Sequence, residues 1–215
     1  MKIKLNCDIT YSYQKECVNA GMPTVFITLS SDNKTLIYSE EELADTIINS
    51  TKKYFNAGDG LYHPQTGQQI LLNFIGDDVL QQQDQITEII NAIDKRVDFV
   101  GYPIQINTNK LTPINYSLKK FIYFSIHPFT FVYNTDLKPE IDMDIINNYA
   151  DNSETGAIII KHDGSDALWS KVDKITDDLA EIIDVNQNWA LWIKPKATDN
   201  DTISKSLYRG YNVWM

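Results

Sequence analysis

The chain is 215 residues long, 43% hydrophobic and 22% charged, which excludes a disordered or fibrous protein and suits one domain over residues 1–215. Its 29 acidic residues against 19 basic ones leave a net charge of −10. No basic cluster exceeds pairs such as Lys119-Lys120, which excludes the cationic face that a phosphate backbone demands.

In chain order, residues 2–9 and 24–30 (TVFITLS) are rich in β-formers, with Gly21, Met22 and Pro23 as the turn between them. The charged start reads as a strand and not as a signal peptide. Ser39 three residues before Glu42 makes a capping box. A helix is predicted from there to about Phe55, with Leu43, Ile47 and Tyr54 turned inward. Residues 56–69 are a polar loop. A buried strand is predicted at 70–75, then a helix over 79–95 whose apolar positions are Ile86, Ile89, Ile90 and Ile93. Strands follow at 104–107 and 121–125, a short helix at 142–149, a strand at 157–161, a helix at 165–183 and a strand at 189–193. The tail from Asp199 to Gly210 reads as helical. Strands alternating with helices of this length predict βαβ crossovers and a largely parallel sheet, hence an α/β fold. No apolar run approaches the roughly 18 residues of a membrane helix, so a cytoplasmic protein that avoids membranes and nucleic acid is expected.

Motifs of chemistry are sparse. The chain has no G-x-G-x-x-G, P-loop, G-x-S-x-G or paired C-x-x-C. Cys7 and Cys17 are too few for a disulfide framework or a thiolate metal site. His162 with Asp163 and Asp166 has the residue types of a metal site, but a solvated loop at a strand end is the preferred reading. Asp77 and Asp78 follow Gly76 at the carboxyl end of a strand, where α/β folds place their sites. Carboxylates there could hold magnesium or do acid–base work; the preferred reading is that they open the helix at Val79, against its dipole. The aromatic run 121–133 reads as a packed core strand and its turn.

Several segments, in order, resemble 7-carboxy-7-deazaguanine synthase. Residues 11–30 (YSYQKECVNAGMPTVFITLS) are similar to its S-x-Q-G-E-G followed by G-x-P-x-V-F-I-R-L-x-G-C-N. Residues 73–82 (NFIGDDVLQQ) resemble T-G-G-E-P-L-L-Q-Q, and residues 103–109 (PIQINTN) resemble a strand ending I-E-T-N-G. Residues 121–125 resemble the strand before S-P-K, and residues 208–213 (YRGYNV) a segment near the family's C-terminus. The chain stops at Met215, about where the family would add its final strand. The resemblance covers nearly the whole chain. It implies a partial (β/α) barrel of the radical S-adenosylmethionine type, working with a 4Fe–4S cluster, S-adenosylmethionine and magnesium in the queuosine (7-deazaguanine) pathway. Val25, Ile27, Leu71, Leu72, Ile104, Ile106, Ile159 and Leu191 are the expected core of that barrel.

The sequence departs from the family at the site itself. Asp32 stands where the first cysteine of C-x3-C-x2-C would be, and the loop carrying the other two, with the magnesium-binding Thr, is missing. The Arg that meets the substrate carboxylate is Thr28, the G-G-E reads Ile75, Gly76 and Asp77, and the Glu of I-E-T-N is Asn107. Gln14 and Glu16 survive from Q-G-E-G, and Ser125 ends the segment that resembles the strand before S-P-K. These positions, Gln14, Glu16, Thr28, Gly76, Asp77, Asn107 and Ser125, make up a vestigial pocket with no catalytic role and no bound cofactor. The expectation is a pseudoenzyme of the lyase family: a scaffold or regulatory module that binds a protein partner, with the homodimer that the family habit implies, and a viral source among those that fit. The alternative is a residual binder of a purine, pterin or nucleoside, or an altered enzyme, with Gln14, Glu16 and Asp77 lining a pocket at the strands' carboxyl face.

Overall fold

The computed structural model describes residues 5–15, 19–29, 36–58, 61–76, 78–97, 101–136, 141–162, 165–185, 189–195 and 212–213. Strands β1 (Leu5–Tyr13) and β2 (Pro23–Leu29) pair antiparallel, from Cys7 opposite Leu29 to Tyr13 opposite Pro23. Their connection closes through Gln14 N–H to Met22 O and Gly21 N–H to Gln14 O, both 2.8 Å. Gly21 takes φ 89° there, which a residue without Cβ adopts freely. The short β3 (Leu36–Tyr38) adds to the outer edge of β1 and leads into helix α1 (Glu40–Phe55).

The capping box forms as the spacing dictates. Glu42 N–H donates to Ser39 Oγ at 3.3 Å, and Ser39 N–H donates to Glu42 Oε2 at 2.9 Å. At the other end Asn56 turns left-handed (φ 51°), with Lys52 and Lys53 in the last turn, where the helix dipole favours cations. Leu43 and Ile47 are buried as expected, but Tyr54 is 57% exposed. It lies beyond the reach of the core, stacked on Tyr11 of β1 at 5.1 Å, where the sheet nears its margin.

Then follow β4 (Leu71–Ile75), a 3-10 turn (Val79–Gln82), α2 (Gln83–Asp94) and β5 (Ile104–Thr108). Next come α3 (Tyr116–Phe124), β6 (Phe129–Thr135), α4 (Met143–Ala150), β7 (Thr155–His162), α5 (Asp166–Val185), β8 (Trp189–Pro195) and β9 (Asn212–Val213). Among the described residues the sheet has nine strands in the order β3-β1-β2-β4-β5-β6-β7-β8-β9, and the seven from β2 onward are parallel. Each crossover advances one place in the same direction. Connections of one hand then leave the helices on one face and curl the sheet into a partial (β/α) barrel, as expected.

The main core lies between the sheet and those helices. Val25, Ile27, Leu72, Phe74, Ile104, Ile106, Phe131, Ile158 and Ile193 pack in one cluster with Ile47, Ile86, Ile90 and Val172 of the helices. The four isoleucines 86, 89, 90 and 93 of α2 are fully buried, each contributing about 1.5–3 kcal/mol over exposure. All eight residues expected in the core are at most 6% exposed. Leu72 pairs with Ile104, so the strands around 70–75 and 104–107 belong to one sheet as the resemblance requires.

Two expectations are corrected. Residues 121–125 are not a strand; Phe121 to Phe124 end α3, and the strand begins at Phe129. Asn115 caps that helix, its side chain accepting from Leu118 N–H at 2.8 Å, and Leu118, Phe121 and Ile122 fall on one helical face. Capping and a 3-4 spacing thus outweigh the β preference of the aromatics. The helix expected over 79–95 opens as a 3-10 turn, because Asp78 caps no amide: its carboxylate instead meets Lys110 Nζ at 2.7 Å. The tail expected as a helix at 199–210 lies outside the described residues, while Asn212–Val213 joins the sheet edge.

Candidate functional site: the inner face of the sheet

Side chains alternate across the sheet, so the register sorts them into two faces. The helix-facing set is the core above. The inner set comprises Thr24, Phe26 and Thr28 of β2, Leu71, Asn73 and Ile75 of β4, and Gln105 and Asn107 of β5. It continues with Thr130, Val132 and Asn134 of β6, Thr155, Ala157 and Ile159 of β7, and Ala190 and Trp192 of β8. This face is more polar than the outer one, as the wall of a binding barrel is.

The strands' amino-terminal end is closed by a hydrogen-bonded layer. Asn19, in the β1–β2 connection, donates from Nδ2 to Gln105 Oε1 at 2.8 Å and to Thr130 Oγ1 at 3.4 Å. Gln105 Nε2 donates onward to Asn107 Oδ1 at 2.7 Å, and Thr130 and Thr155 share a hydroxyl bond of 2.6 Å. Above this layer Val132, Ala157, Ile159 and Trp192 pack into a small second cluster. Leu71, Asn73, Gln105, Val132 and Ala157 have no exposed surface, and Ile159 has 1%. The lower and middle levels of the barrel are therefore filled by the protein's own side chains. Thr28, Ile75, Asn107 and Asn134, nearer the carboxyl end, are half-buried.

Of the expected site residues that are described, Thr28, Gly76 and Asn107 share the carboxyl end of the barrel on neighbouring strands, while Gln14 and Ser125 do not join them. Thr28 pairs with Ile75 at the carboxyl end, beside Gly76. Gly76 approaches β2 so closely that a Cβ there would run into the Leu29 carbonyl oxygen, which gives this glycine a structural reason of its own. Asn107 is on the same inner face but its amide oxygen is taken by Gln105. Gln14 lies at the opposite, amino-terminal end, since β1 runs against β2; a strand's length, about 20 Å, separates it from Gly76. It is buried, and its Oε1 accepts from Lys15 N–H at 3.0 Å. Ser125 is outside the barrel altogether, as the C-cap of α3, its hydroxyl accepting from His127 N–H at 3.1 Å. Glu16, Asp32, Asp77 and Cys17 lie outside the described residues, as do Asp163 and the side chains of His162 and Asp166.

The donors present do not fit a 4Fe–4S cluster. Cys7 is fully buried on the helix-facing side of β1, opposite Leu29, and its thiol is pushed up to about 12, first by burial and then by the charge of Asp8. Among the described residues no group of three or more His, Cys, Asp or Glu is placed to hold a metal ion. None of the helices described is long and apolar enough to cross a membrane.

Sequence reasoning missed two buried polar features. Gln83, inside α2, donates to Leu80 O at 2.6 Å and Pro113 O at 2.9 Å and accepts from Asn115 N–H at 2.7 Å, tying the β5–α3 loop to the helix. Asn73 is the opposite case: fully buried, with neither amide atom hydrogen-bonded. An amide between apolar neighbours in a strand was the available signal for it.

No family model and no curated protein matches the chain. Among solved structures, the crystal structure of QueE from Escherichia coli is similar over 98% of this chain and 92% of that one, with a TM-score of 0.59 at 10% identity. The likeness is one of fold: an α/β partial barrel.

Proposed function

We propose that this chain is a non-catalytic descendant of the 7-carboxy-7-deazaguanine synthase fold that serves as a scaffold binding another protein. The observation that carries this reading is the filled lower and middle barrel: the inner face at Leu71, Asn73, Gln105, Val132 and Ala157 has no accessible surface, which leaves a ligand only the half-buried carboxyl-end level of Thr28, Ile75, Asn107 and Asn134. Two further points support it. Thr28 and Asp32 replace the residues that, by the resemblance, anchor substrate and cluster. Several of the polar groups that remain are spent on one another, as in the chain Asn19, Gln105 and Asn107. A barrel whose lower levels pack and bond internally serves as a stable frame, and fold alone does not supply chemistry.

Anaerobic reconstitution with iron and sulfide, followed by calorimetry with S-adenosylmethionine, tests the reading. The expected result is no stoichiometric cluster chromophore and affinity of millimolar or weaker. A stoichiometric cluster, or low-micromolar binding of S-adenosylmethionine, would overturn it and favour a residual small-molecule binder.

A further inference from the structure

The outer surface over α2 and α3 carries a concentration of apolar surface that the core does not explain. Tyr116, Tyr123, Phe124 and Ile126 are 78%, 81%, 72% and 47% exposed, all within eleven residues. Tyr123 and Phe124 meet edge to face at 5.0 Å, so part of this surface is already ordered. Elsewhere among the described residues the large exposed side chains are Tyr13 and Tyr54, and each leans on a ring beneath it.

Beside these aromatics runs a groove of about 590 Å³, lined by Asn91, Asp94, Lys120, Phe121, Phe124 and His127 among others. Its floor is rigid. Buried His127 accepts Tyr102 N–H at Nδ1 (3.3 Å) and lies 3.1 Å from both Asp94 oxygens through Nε2, while Tyr102 Oη donates to Asp94 at 2.7 Å. Both ring nitrogens are therefore engaged, and the cluster supports the groove from beneath. The charge around the groove is divided, with Asp94 of α2 in its lining and the basic side on α3. In a chain of net −10, α3 carries Lys119 and Lys120, both exposed, and no acidic residue. Neither lysine makes an ion pair among the described residues.

We propose that the α2–α3 groove is the docking surface for an acidic, amphipathic segment of a partner protein. The proposal rests on the protein-binding reading above and gives it a site. An apolar anchor fills the groove against Phe121 and Phe124, and carboxylates one turn away meet Lys119 and Lys120. The exposed lysine pair favours this occupant over a second copy of the chain, which would bring the same two lysines on its own α3.

The test is selection of a displayed random 16-residue peptide library on the full chain at low salt. Two counter-variants are used, Phe124→Asp with Tyr123→Ser, and Lys119→Glu with Lys120→Glu. All four positions are exposed, and thermal unfolding like that of the parent verifies each fold. The expected result is enrichment of peptides with acids flanking spaced apolar residues, bound at least tenfold more weakly by either variant and more weakly as salt rises. Peptides that bind parent and variants alike would overturn the site while leaving the protein-binding reading standing; no enrichment at all would overturn both. Light scattering and flotation with phosphatidylserine vesicles cover the other occupants. A dimer, or vesicle binding, abolished by Phe124→Asp would reassign the face to a second copy or to a membrane, and so overturn the proposal.

Discussion

Replacing Asn73 by valine should make this protein more stable. The residue sits in the middle of β4 with 0% exposure, between Phe26 of β2 and Gln105 of β5, and neither amide atom has a partner. Burying an amide without a hydrogen bond costs about 1–3 kcal/mol. Valine removes that cost, favours a strand by its β-branch and adds little volume, so the strain it introduces offsets only part of the gain. The net gain is about 1–2 kcal/mol. In a chain of this length each kcal/mol raises Tm by about 2–4 °C, so a rise of about 2–8 °C is expected in calorimetric or dichroism melts. Asn107→Val is the control. It lies one strand away on the same face, but its oxygen accepts from Gln105 Nε2 at 2.7 Å, so losing it strands a buried donor and lowers stability by about 1 kcal/mol or more. A fall in Tm for Asn73→Val matching that for Asn107→Val would refute the reasoning. It would mean that the Asn73 amide is satisfied in solution and that the barrel interior is a site after all.

Ser39→Ala removes one half of the α1 capping box and should cost about 1 kcal/mol in urea unfolding, with the urea dependence itself unchanged. Gly156→Ala would drive a methyl into the Trp189 ring and should destabilise by about 2 kcal/mol or more, or prevent soluble expression. The Cys7 thiol, raised from 9.0 to about 12, keeps its proton in the folded state while the unfolded chain loses it. Its stabilising effect is complete below pH 9 and declines as pH rises toward 12, and Cys7→Ala should flatten that decline in pH-dependent unfolding. Buried Tyr102 and Tyr149 are raised in the same direction and will leave a residual slope. In the native protein Cys7 should also resist Ellman's reagent until denaturant is added.

The elements that were legible in the sequence are those whose signal is local. The Ser39–Glu42 box, the isoleucine spacing of α2 and the β-rich runs of β2, β4 and β7 each express one period or one cap, and each appears where expected. Residues 121–125 were illegible because aromatic content favoured a strand, while the decisive cap, Asn115, lay six residues upstream. Tyr54 has the right helical phase, yet phase says nothing of where the sheet beneath it ends. The candidate site suffered most. Motif order along the chain suggested one pocket, but the β1–β2 hairpin reverses direction and carries Gln14 to the end away from Gly76. The bonds of Gln83 and Asn19 join residues far apart in sequence, and such pairings have no local signature.

The strand order has a consequence for how this molecule is made. From β4 to β9 every strand pairs with the parallel strand synthesised before it, β4 reaching past the short β3 to β2. As the chain leaves the ribosome, each new strand finds its neighbour already present, and from β4 to β8 one crossover helix closes between them. Assembly can run as a ratchet from the β1–β2 hairpin toward the carboxyl end. The growing edge is always the most recent strand, and it stays uncovered only until the next one arrives. Among the described residues the edge positions of the sheet fall to Leu36–Tyr38, which joins the hairpin at the start of this order, and to Asn212–Val213, which joins at its end.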